Sequence, residues 1–324
     1  MNQNIPDNKH NGKIATSESV HEIDAKTGKF VRQKNRFTTP FGDQEGELPV
    51  EANRYRLLWT PLCPWAHRQK IAFALLGLDD VISTGTAHPH RSEKGWSFAN
   101  NPGGVDPVLK IHYLPEIYAQ TDPNYTGRAT VPCVVDVKTH KVVNNDYFNL
   151  TYYWETAWKP FHKKGAPDLF PEDLREDIKA LNDVIFNDVN NGVYKAGFAE
   201  SQEAYEEAFD TLFARLDELE ERLSHSRYLF GDRLTDSDIR LYVTLARFDI
   251  AYYPVFLCNK RRLIDYPNLW NYAKDLYSIP AFKNTTHFDA IKYYHHNEFG
   301  ILPKGPDLSL WEEPNDRAEK FGGK

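Results

Sequence analysis

The chain has only three cysteines, Cys63, Cys133 and Cys258, and no two are spaced as CxxC. They cannot all pair within the chain, so in a reducing cytoplasm free thiols are expected. Apolar runs of bilayer-spanning length are missing, and a membrane protein is not expected. The start, Met1-Asn2-Gln3-Asn4, is polar and lacks the apolar stretch of a signal peptide. Export is therefore not expected, and a cytoplasmic location is. Positive charge is not in excess: 39 Lys and Arg stand against 46 Asp and Glu, a net charge of -7. That argues against nucleic-acid partners, because phosphate contacts need clustered Lys and Arg. The sequence has no phosphate-binding glycine loop and no nucleophilic-serine elbow. His88-Pro89-His90 and His295-His296 come without a further set of ligands, so they are read as exposed loop histidines and no metal site is expected.

What the chain does have is aromatic and periodic. It carries 19 Phe, 18 Tyr and 7 Trp, enough to fill a core and to line a cleft for a planar ligand. Its 324 residues exceed what one core usually holds, which predicts two domains. Residues 1–50 are polar with little periodicity and read as an arm that either wraps a later domain or hangs free. Within residues 51–160, Tyr55-Arg56-Leu57-Leu58-Trp59 reads as a strand and Thr60-Pro61-Leu62 as a turn. Pro64 suits a first helical position, Ile71, Ala72, Leu75 and Leu76 form an apolar stripe, and Gly77 ends the helix. Val81-Ile82-Ser83-Thr84 reads as a second strand, parallel to the first. Val131 to Asp136 and Lys141 to Val143 read as a hairpin about Lys138-Thr139-His140. Strand, helix, strand and a proline-led hairpin is the order of a thioredoxin-like α/β domain.

Residues 168–306 read as an all-α domain, followed by a tail over 307–324. Ala204, Ala208, Leu212, Leu216, Leu219 and Leu223 recur at three- and four-residue steps, with Ser201 as N-cap. Thr235-Asp236-Ser237-Asp238 resembles a capping box, flanked by Leu234 and Ile239 at staple spacing. The apolar tract from Ile239 to Leu257 predicts a helix buried on most sides.

Cys63-Pro64-Trp65-Ala66 places a thiol at a helix start, where unpaired N–H groups and the dipole favour an anion. Its thiol pKa is therefore expected to fall, with His67 and Arg68 as possible cations one turn on. The competing reading is a small buried hydrophobe, the common fate of a free cysteine. With Ala66 in place of a resolving cysteine, a mixed disulfide must be resolved by an outside thiol. Val131-Pro132 is the second feature: in thioredoxin-like folds a cis-proline lies opposite the cysteine, although most X-Pro bonds are trans. Cys133 has no activating neighbours and reads as a strand residue.

Cys63-Pro64-Trp65-Ala66-His67-Arg68 resembles the signature of the Xi-class glutathione transferases, the glutathionyl-hydroquinone reductases. The resemblance continues through Gly95-Trp96-Ser97-Phe98, Gly127-Arg128-Ala129-Thr130-Val131-Pro132, Asn190-Asn191-Gly192-Val193-Tyr194, Arg247-Phe248-Asp249 and Gly300-Ile301-Leu302-Pro303. Gly28-Lys29-Phe30-Val31-Arg32-Gln33 in the arm resembles the family as well, so the likeness spans about residues 28–306. It implies a glutathione transferase fold and reductive deglutathionylation of glutathionyl-hydroquinones through a Cys63 mixed disulfide, resolved by a second thiol. No tightly bound cofactor is implied; glutathione or another low-molecular-weight thiol is the co-substrate, and a homodimer the assembly.

By the same resemblance Trp96, Arg128, Val131 and Pro132 belong to the thiol site, and Tyr194 and Tyr252 sit over the aromatic substrate. A third substrate tyrosine falls at Tyr293 or Tyr294, or is absent. The sequence departs from the family at Asn145-Asp146-Tyr147-Phe148, where Asn-Glu-Ser-Ser is usual. Asp146 shortens the acid expected at the γ-glutamyl end of glutathione, and Tyr147 puts a ring where a small hydroxyl is expected. Two rival readings stay open: an omega-like thiol transferase or dehydroascorbate reductase, and a non-catalytic binding module of the same fold.

Overall fold

The computed structural model describes residues 14–15, 22–295 and 300–322. His296 and the first four residues lie outside that range. The arm contributes β1 (Ile14–Ala15), β2 (Glu22–Ile23) and β3 (Phe30–Val31). The first domain follows with β4 (Tyr55–Trp59), α1 (Pro64–Leu76), β5 (Ser83–Thr86) and α2 (Leu114–Thr121). It continues through β6 (Gly127–Arg128), β7 (Cys133–Asp136), β8 (Lys141–Asn144) and α3 (Leu150–Glu155). Its central sheet is four-stranded in the order β5-β4-β7-β8. β4 pairs in parallel with β5 and antiparallel with β7, which pairs antiparallel with β8.

A helix between β4 and β5 permits the parallel pairing, and the short Val137–His140 turn makes the β7–β8 hairpin. The second strand starts later than expected. Val81 and Ile82 close a 3-10 turn over Leu78–Asp80, and the ladder begins at Ser83. Gly77 ends α1 in a left-handed conformation, φ 81°, which a side chain would disfavour.

α1 departs from the single apolar stripe. All of its residues except Lys70 and Ala74 are buried, because the helix is packed against α3 as well as against helices of the second half. Its polar side chains must therefore find partners inside the protein. Gln69 accepts from the Trp154 indole N–H at 2.6 Å, and Arg68 donates to Asn190 Oδ1 at 3.3 Å.

The second half is helical: α4 (Arg175–Val184), α5 (Gly192–Gly197), α6 (Gln202–His225), α7 (Asp236–Arg247) and α8 (Pro267–Ser278). Ser201 caps α6 through Ala204 N–H at 3.1 Å. Thr235 and Asp238 form the capping box of α7, with Asp238 accepting from Thr235 N–H at 2.8 Å. Every residue of α7 is buried. The tract does not stay buried to its end: a π-helical turn covers Phe248–Tyr252, and Leu257 is 54% exposed with a positive φ.

The arm lies against both halves. β1 pairs with β6, Phe37 exchanges hydrogen bonds with Asn145, and Phe30 packs on Phe198. This binding to sheet and helices fixes the stretch just after β3, which carries Arg32 and Gln33 to the site described next.

Candidate active site

β4 runs out at Trp59, the chain turns through Pro61 and Leu62, and Cys63 becomes the N-cap of α1 with Pro64 at its first position. The turn is held from the other half of the chain. Arg247, at the last residue of α7, donates to Leu62 O at 2.9 Å and to Pro61 O at 2.8 Å. Its remaining donor reaches Val243 O and His67 Nδ1. Arginine can only donate, so Nδ1 accepts and the His67 Nε2–H is left to donate to Thr285 at 3.1 Å. Burial and the adjacent Arg247 hold His67 well below its ordinary value, so it is neutral and adds no positive charge at Cys63.

Arg68 turns away as well, under the Trp65 ring and toward Asn190. The cations that act on Cys63 are Arg247 and Arg32. Neither was identified from the local sequence, because both are brought in from distant segments.

The Cys63 thiol is 8% exposed and donates to Val131 O at 3.4 Å. Burial pushes it up, and the N–H groups of Ala66 and Trp65 with Arg247 and Arg32 pull it back only in part. The expected fall in pKa is thus corrected: around Cys63, loss of water outweighs the helix start. Cys133 is fully buried, and burial lifts it to about 12 with only a Tyr118 contact to oppose it. The Val131–Pro132 bond is cis.

A cleft of about 250 Å³ opens beside Cys63. Of the residues singled out in the sequence, Cys63, Trp96, Arg128, Val131, Tyr147, Tyr194 and Tyr294 line it. Pro132, Asp146, Tyr252 and Tyr293 do not. Asp146 is engaged elsewhere: its carboxylate accepts from Asn149 Nδ2 at 2.7 Å, from the N–H groups of Phe148 and Asn149, and from Asn35. That is the work of a turn leading into α3. Tyr147 stands against Trp65 with ring centroids 5.0 Å apart. Tyr293 packs on His88 and His90 instead of the cleft.

The tyrosines are joined through their hydroxyls. Tyr194 lies 2.8 Å from Tyr294 and 3.3 Å from Tyr252, oxygen to oxygen. Tyr252, fully buried, supports Tyr194 from behind and does not face the cleft. Burial pushes all three phenols up, so each keeps its proton at neutral pH and remains able to donate it.

The lining residues not singled out as site residues in the sequence include Arg32 and Gln33 of the arm, Trp65 and Arg91. Gln33 accepts from Arg128 N–H at 2.7 Å and donates to Arg128 O at 3.1 Å, which fixes that strand. Arg32 lies over the Trp65 and Tyr194 rings at 4.7 and 4.8 Å. The family-like run from Gly28 to Gln33 was the available signal for the arm; Arg91 had none. Among the described residues no group of three or more His, Cys, Asp and Glu could hold a metal ion, and no helix is long and apolar enough to cross a membrane.

The glutathione S-transferase C-terminal domain profile matches residues 202–275. Over 310 residues the chain is 39% identical to glutathionyl-hydroquinone reductase YqjG of Escherichia coli (strain K12), covering 91% of this chain and 94% of that one. A glutathione transferase from Gordonia bronchialis superposes with a TM-score of 0.83 at 47% identity, covering 85% of this chain and 88% of that one. The Xi glutathione S-transferase of Phanerochaete chrysosporium gives 0.84 at 38% identity, over 90% and 96%. The chain belongs to the Xi-class glutathione transferases, the family of the glutathionyl-hydroquinone reductases, and is a thiol-dependent enzyme with the fold of that class.

Proposed function

We propose that this Xi-class enzyme reduces thiol conjugates of hydroquinones, of which glutathionyl-hydroquinones are the family's example, through a mixed disulfide on Cys63. The observation that carries this reading is the cleft itself, which is lined together by the Cys63 thiol, three arginines, Trp96 and two joined phenols. In the first step the Cys63 thiolate attacks the sulfur of the conjugate. A sulfur–sulfur bond forms and the sulfur–carbon bond breaks; the electron pair leaves with the ring carbon, which takes a proton to give the free hydroquinone. Tyr194 or Tyr294 is the proposed donor, being protonated and in the cleft. In the second step another thiol attacks the non-protein sulfur of the mixed disulfide. A small disulfide leaves and Cys63 is restored. The net change consumes one conjugate and one thiol and yields one hydroquinone and one disulfide.

The raised Cys63 thiol fits this cycle if ligand entry changes its surroundings. Val131 O now accepts from Cys63. A cysteinyl N–H of the ligand would compete for that carbonyl, as a peptide-like thiol does in thioredoxin-like folds, and would release the sulfur toward Arg32 and Arg247. We further propose a homodimer in a reducing cytoplasm, in keeping with three free thiols; light scattering of the purified chain tests the assembly. The decisive test of the chemistry is turnover of glutathionyl-menadiol with intact-mass analysis. Release of menadiol and a thiol adduct confined to Cys63 are expected. Turnover of dehydroascorbate with none of the conjugate would replace this reading with the omega-like one.

A further inference from the structure

Three guanidinium groups, those of Arg32, Arg91 and Arg128, line the cleft beside Cys63, and no Asp or Glu lines it among the described residues. Two of the three carry unused donors. Arg32 Nη2 is buried without a hydrogen-bond partner while its Nε is committed to Asn191 Oδ1 at 2.7 Å. Arg91 Nε is likewise buried without a partner. Neither arginine forms an ion pair with a carboxylate among the described residues. A buried guanidinium nitrogen left without an acceptor is unfavourable, and an anionic ligand is the group that relieves it.

Asp146, the acid at the position expected to meet an ammonium, has both oxygens engaged with Asn149, Phe148 N–H and Asn35. The ring of Tyr147 fills the wall beside it, against Trp65 and Phe186. The cleft therefore offers several cationic partners to carboxylates and no carboxylate to pair with a cationic amine.

Resting on the reading of Cys63 as a thiol-exchange centre, we propose that the thiol is recognised through its carboxylates alone. The α-ammonium of a γ-glutamyl group goes unrecognised, and the ligand class is a dianionic thiol with or without that amine. This separates two properties that glutathione combines. Its two carboxylates would find Arg32, Arg91 and Arg128, whereas its amine would enter a site already positive and gain nothing there.

The test uses the intact chain and three thiols: glutathione, glutaryl-cysteinyl-glycine, which lacks only the amine, and glutathione diethyl ester, which lacks both carboxylate charges. Each serves as the reductant that resolves a Cys63 mixed disulfide formed beforehand. The deaminated thiol is expected to show a KM equal to or below that of glutathione. The diester is expected to be at least about tenfold worse, the loss of one charge-assisted contact or more. Arg91→Gln should narrow the gap between diester and glutathione, with folding checked by its unchanged circular dichroism. A deaminated thiol that binds tenfold more weakly than glutathione overturns the proposal, as does a diester that binds equally well. If no thiol, glutathione included, resolves an adduct on Cys63, it is the exchange reading that has failed instead.

Discussion

Cys63 and Cys133 are both buried thiols close to the cis Val131–Pro132 bond, one bonded to Val131 O and the other next in sequence to Pro132, yet their surroundings differ in kind. Cys133 lies in a strand of the central sheet, paired opposite Leu58, and burial takes its thiol to about 12. Cys63 lies one residue before a helix, where Ala66 and Trp65 N–H groups are unused and two arginines approach. Burial acts on both in the same direction. At Cys133 only the Tyr118 contact opposes it, whereas at Cys63 two N–H groups and two arginines do, and Cys63 lines a cleft. A cysteine is made usable here by what surrounds it, since low exposure is common to the two.

The widest separation is expected from Cys63→Ser, which should abolish conjugate reduction while Cys133→Ser keeps most of it. Steady-state assays of both variants check this; comparable losses would erase the distinction. Next comes Arg247→Met. It leaves Leu62 O and Pro61 O without their donor and removes a cation near Cys63. One lost charge-assisted contact is worth roughly 1.5–3 kcal/mol, a fall of about tenfold or more in kcat/KM. The alkylation midpoint of Cys63 should also move up, which a purely structural role would not produce.

A smaller effect is expected from Tyr194→Phe. The ring remains and Tyr294 still offers a hydroxyl, so kcat and kcat/KM should fall together by about fivefold to tenfold. A change confined to KM would assign Tyr194 to binding. The smallest effect concerns pH. Cys63 in the free enzyme should react with iodoacetamide with a midpoint above the ordinary thiol value of about 8.5, and Cys133 should stay unlabelled across that range. The sign for stability follows from Cys133. Its proton is held in the folded chain up to about 12 but lost from about 8.5 when unfolded. Its contribution is complete below 8.5 and disappears as pH rises through the folded value. Cys133→Ser should flatten that decline in an alkaline melting series.

Much of this contrast is legible in the sequence. The Pro64 start, the Gly77 stop, the Thr235 capping box and the β7–β8 hairpin are local signals, each written within a few residues. The errors have a shared origin. His67 and Arg68 follow Cys63 in sequence and were expected to charge it, but a helix turns successive side chains to different faces, and these two face the helical half. The residues that do act on Cys63 are 31 positions before it and 184 after it, as their numbers, Arg32 and Arg247, show. The choice between Tyr293 and Tyr294 had the same character. Adjacent tyrosines are equivalent on paper, and packing sends one to the histidines at 88 and 90 and the other to Tyr194.

The sequence by itself determined where helices begin and end, which cysteine stands at a helix start, that no second cysteine is near enough in sequence to resolve it, and the family. These depend on backbone propensities and on residues a few positions apart. Tertiary structure alone decided the protonation of that cysteine, the use of Asp146 as a turn cap, the burial of α1 on nearly all sides and the gathering of three arginines around one cleft. Each of those depends on desolvation and on charges brought together by the fold across long stretches of chain, and neither quantity exists until the chain has closed on itself.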